Sequence, residues 1–329
     1  MIKVKDLTKT FKVHKKEPGF FGSAKSLLNR NYIEKSALKS LNLNIEEGEI
    51  IGLIGSNGAG KTTLTKILSG IIHPTSGEVS VMGHRPWDRN NQYRKQMAVI
   101  MGQKAQLWWD LPAMDGFLLL KEIYQIPHKE FYDSVDYLAE YLKIKDQLNI
   151  QVRRLSLGER MKVELMAALI HKPKVIFLDE PTIGLDLTAQ KAVRKFIKEY
   201  RKEHNPTMIL TSHYMDDIEE LCPRICILKD GQSVYDGQLD QLHKKYVKNK
   251  MITANIKNED ELSLITQNFP QELGRIEIVE KQIKIHAPRE NTMEAAKYLL
   301  NNSHVLDLNI QEVEIGEVIE KIMNKETSL

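Results

Sequence analysis

Glu49-Ile50-Ile51-Gly52-Leu53-Ile54 runs into Gly55-Ser56-Asn57-Gly58-Ala59-Gly60-Lys61-Thr62, and Thr62-Thr63-Leu64-Thr65-Lys66-Ile67-Leu68-Ser69 runs out of it. The first segment is a short apolar run of the kind buried in a parallel sheet. The last has helical spacing, with Gly70 placed to stop it. Between them stand Gly55, Gly58 and Gly60, whose missing Cβ lets backbone N–H groups turn inward onto an anion. The start of the helix adds partial positive charge at the same spot. This strand, G-x-x-x-x-G-K-T loop and helix predict a nucleotide phosphate site in an α/β fold. Lys61 is placed to reach the β- and γ-phosphates and the Thr62 hydroxyl to ligate Mg²⁺. Ser56, Asn57, Ala59 and Thr63 complete the cradle.

Val175-Ile176-Phe177-Leu178-Asp179-Glu180 is a second buried strand run, and it ends in two carboxylates. A loop that holds phosphates and a strand that delivers carboxylates together predict bound Mg-ATP and its hydrolysis.

Bulk composition sets outer bounds. At 329 residues the chain is long enough for two domains and a large core. A net charge of +3 is too small to argue for nucleic acid as a partner. Cys222 and Cys226 fit a reducing compartment and read as core thiols, because no second Cys or His pair joins them to make a metal site. Met1-Ile2-Lys3-Val4-Lys5-Asp6 has no apolar signal core, and no apolar run approaches a membrane span. The expectation is a chain that meets a membrane only through a partner.

Leu155-Ser156-Leu157-Gly158-Glu159-Arg160 opens an amphipathic segment, Met161 to His171, just ahead of the carboxylate strand. Ser156 and Gly158 at a helix N-terminus would make a second anion site. This arrangement resembles the nucleotide-binding domain of ABC transporters, whose signature reads LSGGQ. The resemblance implies that each ATP lies between the phosphate loop of one subunit and the signature of a second ATPase subunit, the same or different. It implies that Asp179 holds the hydration shell of Mg²⁺ and that Glu180 is the general base orienting the attacking water. Gln103, after the strand Met97-Ala98-Val99-Ile100-Met101, would contact Mg²⁺ and that water. Gly184-Leu185-Asp186 would link the two sites across the dimer. His213, after Met208-Ile209-Leu210-Thr211, would contact the γ-phosphate, and Phe11 would stack on adenine in place of the usual tyrosine.

Two positions depart from the family pattern. Leu157 stands where a glycine is usual, and Glu159 where a glutamine is usual. Leu157 would bring a Cβ near the partner's nucleotide and Glu159 a negative charge near a phosphate. The expectation is a working site, slower or more tightly coupled.

Along the chain, the resemblance implies an ATPase domain over residues 1–240 and an accessory α+β domain over 241–329. Strands near 2–13 and 37–45 are expected to form an antiparallel layer. Strands near 50–54, 97–101, 174–179, 207–211 and 224–229 are expected to form the central sheet. Residues 110–171 show helical periodicity, matching the helical subdomain that ABC ATPases insert. Asp230-Gly231 marks a hairpin turn. Within 12–36, Lys12, Lys15, Lys16, Lys25, Arg30 and Lys35 interleave with Phe20, Phe21, Leu27, Leu28 and Tyr32. Two readings stand for this stretch: a solvated loop, or an amphipathic segment lying on a membrane or a permease. Trp108 and Trp109, within Gln103–Pro112, are aromatic anchors where a permease would dock; the alternative is that one of them packs inside the helical subdomain.

Residues 252–323 read as strand, helix, strand pair, helix, strand and helix, a β-α-β-β-α-β order that suggests a ferredoxin-like unit. No phosphate loop, metal cluster or catalytic pair appears in it, so a dimer-stabilising or regulatory module is expected. The resemblance as a whole implies an ATP-hydrolysing subunit on the cytoplasmic face of a membrane, driving export through separately encoded permeases. An importer ATPase and a non-transport ABC ATPase of translation or DNA repair are the alternatives. A single signature motif speaks against a translation role and the lack of a heptad run in 62–155 against DNA repair, while the aromatics after Gln103 and the C-terminal extension favour export over import.

Overall fold

Ile2, Val4 and Leu7 form the buried face of the first strand, opposite exposed Lys3 and Lys5. Asp6, with φ 48°, sits in a register shift that returns Leu7 to the buried face. In the computed structural model, which describes residues 1–14, 32–102, 105–246, 249–257, 259–279, 282–312 and 315–324, this strand is β1 (Ile2–His14). It pairs antiparallel with β2 (Tyr32–Ile45), setting Ile2 opposite Ile45 and Val4 opposite Leu43. β3 (Ile50–Ile54) leads through the phosphate loop into α1 (Lys61–Leu68). Gly70, at φ 74°, ends that helix: its N–H donates to Ile67 O and the Ile71 N–H to Lys66 O, a Schellman closure. β4 (Ser76–Val81) pairs with the other edge of β1, giving the order β2-β1-β4.

α2 (Asn91–Lys95) precedes β5 (Met97–Met101). α3 (Ala113–Tyr124), α4 (His128–Leu142) and α5 (Leu157–Leu169) form the helical layer, with α3 and α4 both packed on α5 and Phe117, Phe131, Leu138 and Leu165 buried. The chain then runs through β6 (Val175–Asp179), α6 (Leu187–His204), β7 (Thr207–Thr211), α7 (Met215–Leu221), β8 (Arg224–Lys229) and β9 (Gln232–Gln238). The central sheet has the order β5-β6-β7-β3-β8-β9, and the pairs from β5 to β8 are parallel. β3, β6 and β7 are buried at every residue, as apolar strands covered on both faces must be. The order sets β3 between β7 and β8, with β6 beside β7. The segments leaving the C-terminal ends of β3, β5, β6 and β7 therefore meet along one edge, where ligands of such sheets bind.

The chain divides into Met1–Gly237 and Gln238–Leu329. The second unit holds α8 (Leu239–Tyr246), β10 (Asn249–Ile256), α9 (Glu259–Asn268), β11 (Arg275–Val279), β12 (Gln282–Pro288), α10 (Thr292–Asn302), β13 (Val305–Glu312) and α11 (Ile315–Asn324). Its sheet order is β11-β12-β10-β13 with all neighbours antiparallel, the split β-α-β arrangement of a ferredoxin-like unit. Ile252, Ala254, Ile283 and Ile285 meet Leu262, Ile265, Ala295 and Leu299 in a core of its own.

Three expectations are corrected. The second strand begins at Tyr32 rather than near 37, because its outer part is held by pairing with β1 and not by a buried face; Val13 and Ile33 are opposite each other and both exposed. The antiparallel layer has a third strand, β4, which the sequence reading omitted. The idea that one of Trp108 and Trp109 packs inside also falls, since each is 51% exposed. The amphipathic reading of 12–36 falls mostly on residues 15–31, outside the described residues. Cys222 and Cys226 are free and buried, as core thiols should be. Among the described residues no helix is long and apolar enough to cross a membrane.

Candidate functional site

The phosphate loop is shaped by close approaches that only glycine allows. A Cβ on Gly55 would come within 2.3 Å of Leu228 O, and one on Gly60, at φ 112°, within 2.6 Å of Ala37 O. Ser56, Asn57 and Gly58 are exposed at the crest, whereas Ala59 packs inward. Lys61 is the first residue of α1, with Thr62 and Thr63 half-buried behind it. Its Nζ donates to Gly55 O at 2.5 Å and to Ser56 O at 3.2 Å, closing the loop around its own ammonium group. Burial lowers the Lys61 pKa, and the carboxylates of Glu180 and Asp179 pull it back up.

β6 delivers those carboxylates. Asp179 Oδ1 accepts from Thr211 Oγ1 at 2.6 Å and from Thr62 Oγ1 at 3.4 Å, so the hydroxyl and the carboxylate converge from two elements. Glu180 follows with φ 57°, a left-handed turn that non-glycine residues seldom adopt. Its N–H donates to Thr211 O at 3.0 Å, which holds the turn. Glu180 Oε1 and His213 Nε2 are 2.9 Å apart. Gly102 lies against the same turn: its N–H donates to Asp179 O, and a Cβ there would come within 2.0 Å of Glu180 O. Lys61, Thr62, Asp179, Glu180 and His213, read separately from the sequence, thus form one cluster. Gln103, which follows Gly102, lies outside the described residues. Phe11 is half-exposed on β1 with Lys9 Nζ 4.9 Å from its ring centre.

Ser156 is the N-cap of α5, and Glu159 completes a capping box with it. The Glu159 carboxylate accepts from Ser156 N–H at 2.9 Å and from Ser156 Oγ at 2.8 Å, while Ser156 Oγ accepts from Glu159 N–H at 3.3 Å. The bond from the Ser156 backbone and then the one from its hydroxyl lower the Glu159 pKa. Glu159 is thus engaged within its own helix end. Leu157 lies over Gly184, where a Cβ would come within 3.3 Å of its Cδ2. Asp186 caps α6, its Oδ1 accepting from Ala189 N–H at 2.9 Å.

Three buried charged groups escaped the sequence reading. Asp217 on α7 is fully buried and accepts from Thr182 Oγ1, from Ser212 Oγ at 2.6 Å and from Arg194 Nη1 at 3.0 Å. Thr182 follows Glu180 by two residues and Ser212 precedes His213, so one carboxylate braces both. Arg194 on α6, itself buried, also pairs with Glu220 at 3.0 Å. Glu164 on α5 is likewise buried, and its carboxylate takes N–H bonds from Gln106 and Leu107.

Comparison with known proteins gives a consistent picture. The family model described as ABC transporter matches residues 38–183. The ABC transporter ATP-binding protein NatA of Bacillus subtilis is 30% identical over 208 residues, 63% of this chain and 84% of NatA. The linearmycin resistance ATP-binding protein LnrL of the same organism is 27% identical over 290 residues, 87% of this chain and 93% of LnrL. A solved dimer of an ATP-binding cassette, in a post-hydrolysis state with ADP and phosphate, superposes with a TM-score of 0.60 at 25% identity, over 72% of this chain and 98% of its own.

Proposed function

The chain belongs to the ABC transporter family of ATP-binding proteins, and from that premise we propose that it is the ATP-hydrolysing subunit of an exporter with separately encoded permeases. The observation that carries the chemistry is the Glu180–His213 contact beside Lys61, Thr62 and Asp179. In this reading Lys61 turns from the loop carbonyls to the β- and γ-phosphates when nucleotide enters. Glu180 orients the attacking water and takes up its proton, and His213 holds Glu180 while facing the γ-phosphate. The Thr62 hydroxyl and Asp179 carboxylate are hard oxygen donors that fit Mg²⁺. When bound, that ion supplies charge neutralisation at the phosphates. Ser156, Gly158 and Asp186 would complete the site of a second copy, Phe11 would stack on the adenine, and Gln103 would contact Mg²⁺ and the attacking water.

Export is favoured by the relative named for Nod factor export in Burkholderia thailandensis, 31% identical over 210 residues, and by the linearmycin resistance relative LnrL. That likeness runs over 290 residues, longer than the first unit, so it takes in part of the second. Trp108 and Trp109, both half-exposed, supply the face on which a permease would seat and hold the chain at the cytoplasmic side of the membrane.

Glu180→Gln tests both halves. Turnover is expected to fall about 100-fold or more while Mg-ATP binding is retained. The tagged variant, drawn with Mg-ATP from detergent-solubilised membranes, is expected to bring down multi-span membrane proteins in stoichiometric amounts. Unchanged turnover would remove Glu180 as the base. Recovery with ribosomal or DNA-bound partners alone would leave the ATPase standing and overturn export.

A further inference from the structure

Glu164 occupies a position that packing alone would give to an apolar residue. It lies on α5 between Val163 and Leu165, two fully buried side chains, and is itself 6% exposed. Burial pushes its pKa up, and the N–H bonds from Gln106 and Leu107 pull it back, with Arg160 one turn earlier adding a weaker field. A buried carboxylate is costly and persists where its oxygens are satisfied.

What it holds is the strap formed by residues 105–111. The Gln106 N–H reaches Oε2 at 2.9 Å and Oε1 at 3.1 Å, and the Leu107 N–H reaches Oε1 at 3.4 Å. The bonds are to backbone, so they fix where the strap lies and not merely one side chain. Gln106 is also tethered to the central sheet, its Nε2 donating to Val99 O on β5. Further along, the Arg160 guanidinium lies 5.1 Å from the Trp109 ring centre. The Arg153 N–H donates to Trp109 O at 3.0 Å and the Val152 N–H to Leu111 O at 3.1 Å. Apart from the Val99 tether, every one of these anchors is on α5 or on the turn that leads into it.

We propose that Glu164 is a positioning residue that fastens the 105–111 strap to the helix presenting Ser156 and Gly158, so that strap and helix move as one body. A displacement arriving from the Gln103 end, or from a partner seated on Trp108 and Trp109, then turns the Ser156 end of α5. The proposal rests on the reading of Ser156 and Gly158 as the second nucleotide contact.

The test compares the full-length chain with its Glu164→Gln variant, which keeps the side-chain shape but offers one N–H donor group where an acceptor was. Amide hydrogen exchange is followed with and without Mg-AMP-PNP in peptides covering 105–111 and 156–163, alongside ATPase kinetics. In the native chain both peptides are expected to gain protection together. In the variant the strap should still respond, the helix peptide should lose at least half of its response, and kcat should fall about ten-fold with KM for ATP within two-fold. A joint response and an unchanged kcat in the variant would overturn the proposal, and so would a loss confined to melting temperature. If the variant does not fold, Gln106→Ala cuts the Val99 tether from the exposed side. A smaller strap response with the helix still following it supports the coupling, and independent responses of the two peptides overturn it. Absence of Mg-ATP turnover in the native chain would instead defeat the ATPase reading.

Discussion

The Ser156 hydroxyl has one proton to donate, and the Glu159 carboxylate takes it at 2.8 Å. The usual glutamine would close the same capping box with its carbonyl oxygen, so the exchange alters charge far more than it alters the helix end. A full negative charge about 4 Å from a phosphate costs on the order of 1 kcal/mol in water, close to five-fold in affinity. Glu159→Gln is therefore expected to lower the Mg-ATP concentration for half-maximal dimerisation about five-fold, with stability changed by roughly 0.5 kcal/mol or less. Analytical ultracentrifugation against nucleotide concentration checks the first figure and urea unfolding the second. Dimerisation at the same ATP concentration in both proteins would mean that the charge is spent inside the helix cap and does not reach the partner's nucleotide. Leu157, the other departure, has a local account: its side chain covers Gly184, whose left-handed φ of 74° suits glycine.

Elements whose apolar residues repeat at 3.6 or lie in unbroken runs were legible in the sequence, as α4, β3 and β6 show, because a buried face writes itself into the spacing. β4 was not. Ser76-Gly77-Glu78-Val79-Ser80-Val81 buries only Val79 and Val81, and its extension comes from pairing with β1 across a long connection. The same limit governs the site. The phosphate loop and Asp179-Glu180 carry their chemistry in adjacent residues. Glu164 and Asp217 are defined by partners 58 and 35 residues away, which no local pattern announces. His171, just past α5, is a third such residue. Its Nε2 lies 3.2 Å from Met97 O at the start of β5, and its ring stacks on Tyr124 of α3 with centres 3.9 Å apart. Burial pushes its pKa down from 6.5 to about 4, against a smaller rise from the Met97 bond. A histidine with a depressed folded pKa binds fewer protons folded than unfolded, so its contribution is full above about 6.5 and is lost as pH falls towards 4. The loss amounts to roughly 3 kcal/mol across that window. His171→Phe, which keeps a ring on Tyr124, is expected to flatten this acid limb in urea unfolding followed from pH 7 to pH 4. An unchanged slope would place the acid sensitivity elsewhere.

At the scale of the molecule, the proposed function makes the Lys61–Glu180 cluster and the Ser156 end of α5 complementary halves of a nucleotide site. Lys61, Thr62, Asp179, Glu180 and His213 gather along one edge of the central sheet. Ser156 and Asp186 cap helices next to the Leu157–Gly184 contact, with their polar groups on exposed positions. The related cassette solved with ADP and phosphate is a dimer, in keeping with halves supplied by two copies. If each ATP needs both halves, turnover per chain depends on how many chains are paired. Below the dimer dissociation constant the rate should rise as the square of chain concentration, and above it in simple proportion. Specific activity at saturating Mg-ATP is therefore expected to climb with chain concentration, from near zero well below the dimer dissociation constant to a plateau above it. Adding excess Lys61→Ala chain, which lacks the ammonium group proposed to hold phosphate but keeps Ser156, should alter the rate of dilute native chain by pairing with it. Specific activity that is flat on dilution and indifferent to the added variant would mean that one chain completes its own site, and the signature helix would then need another role.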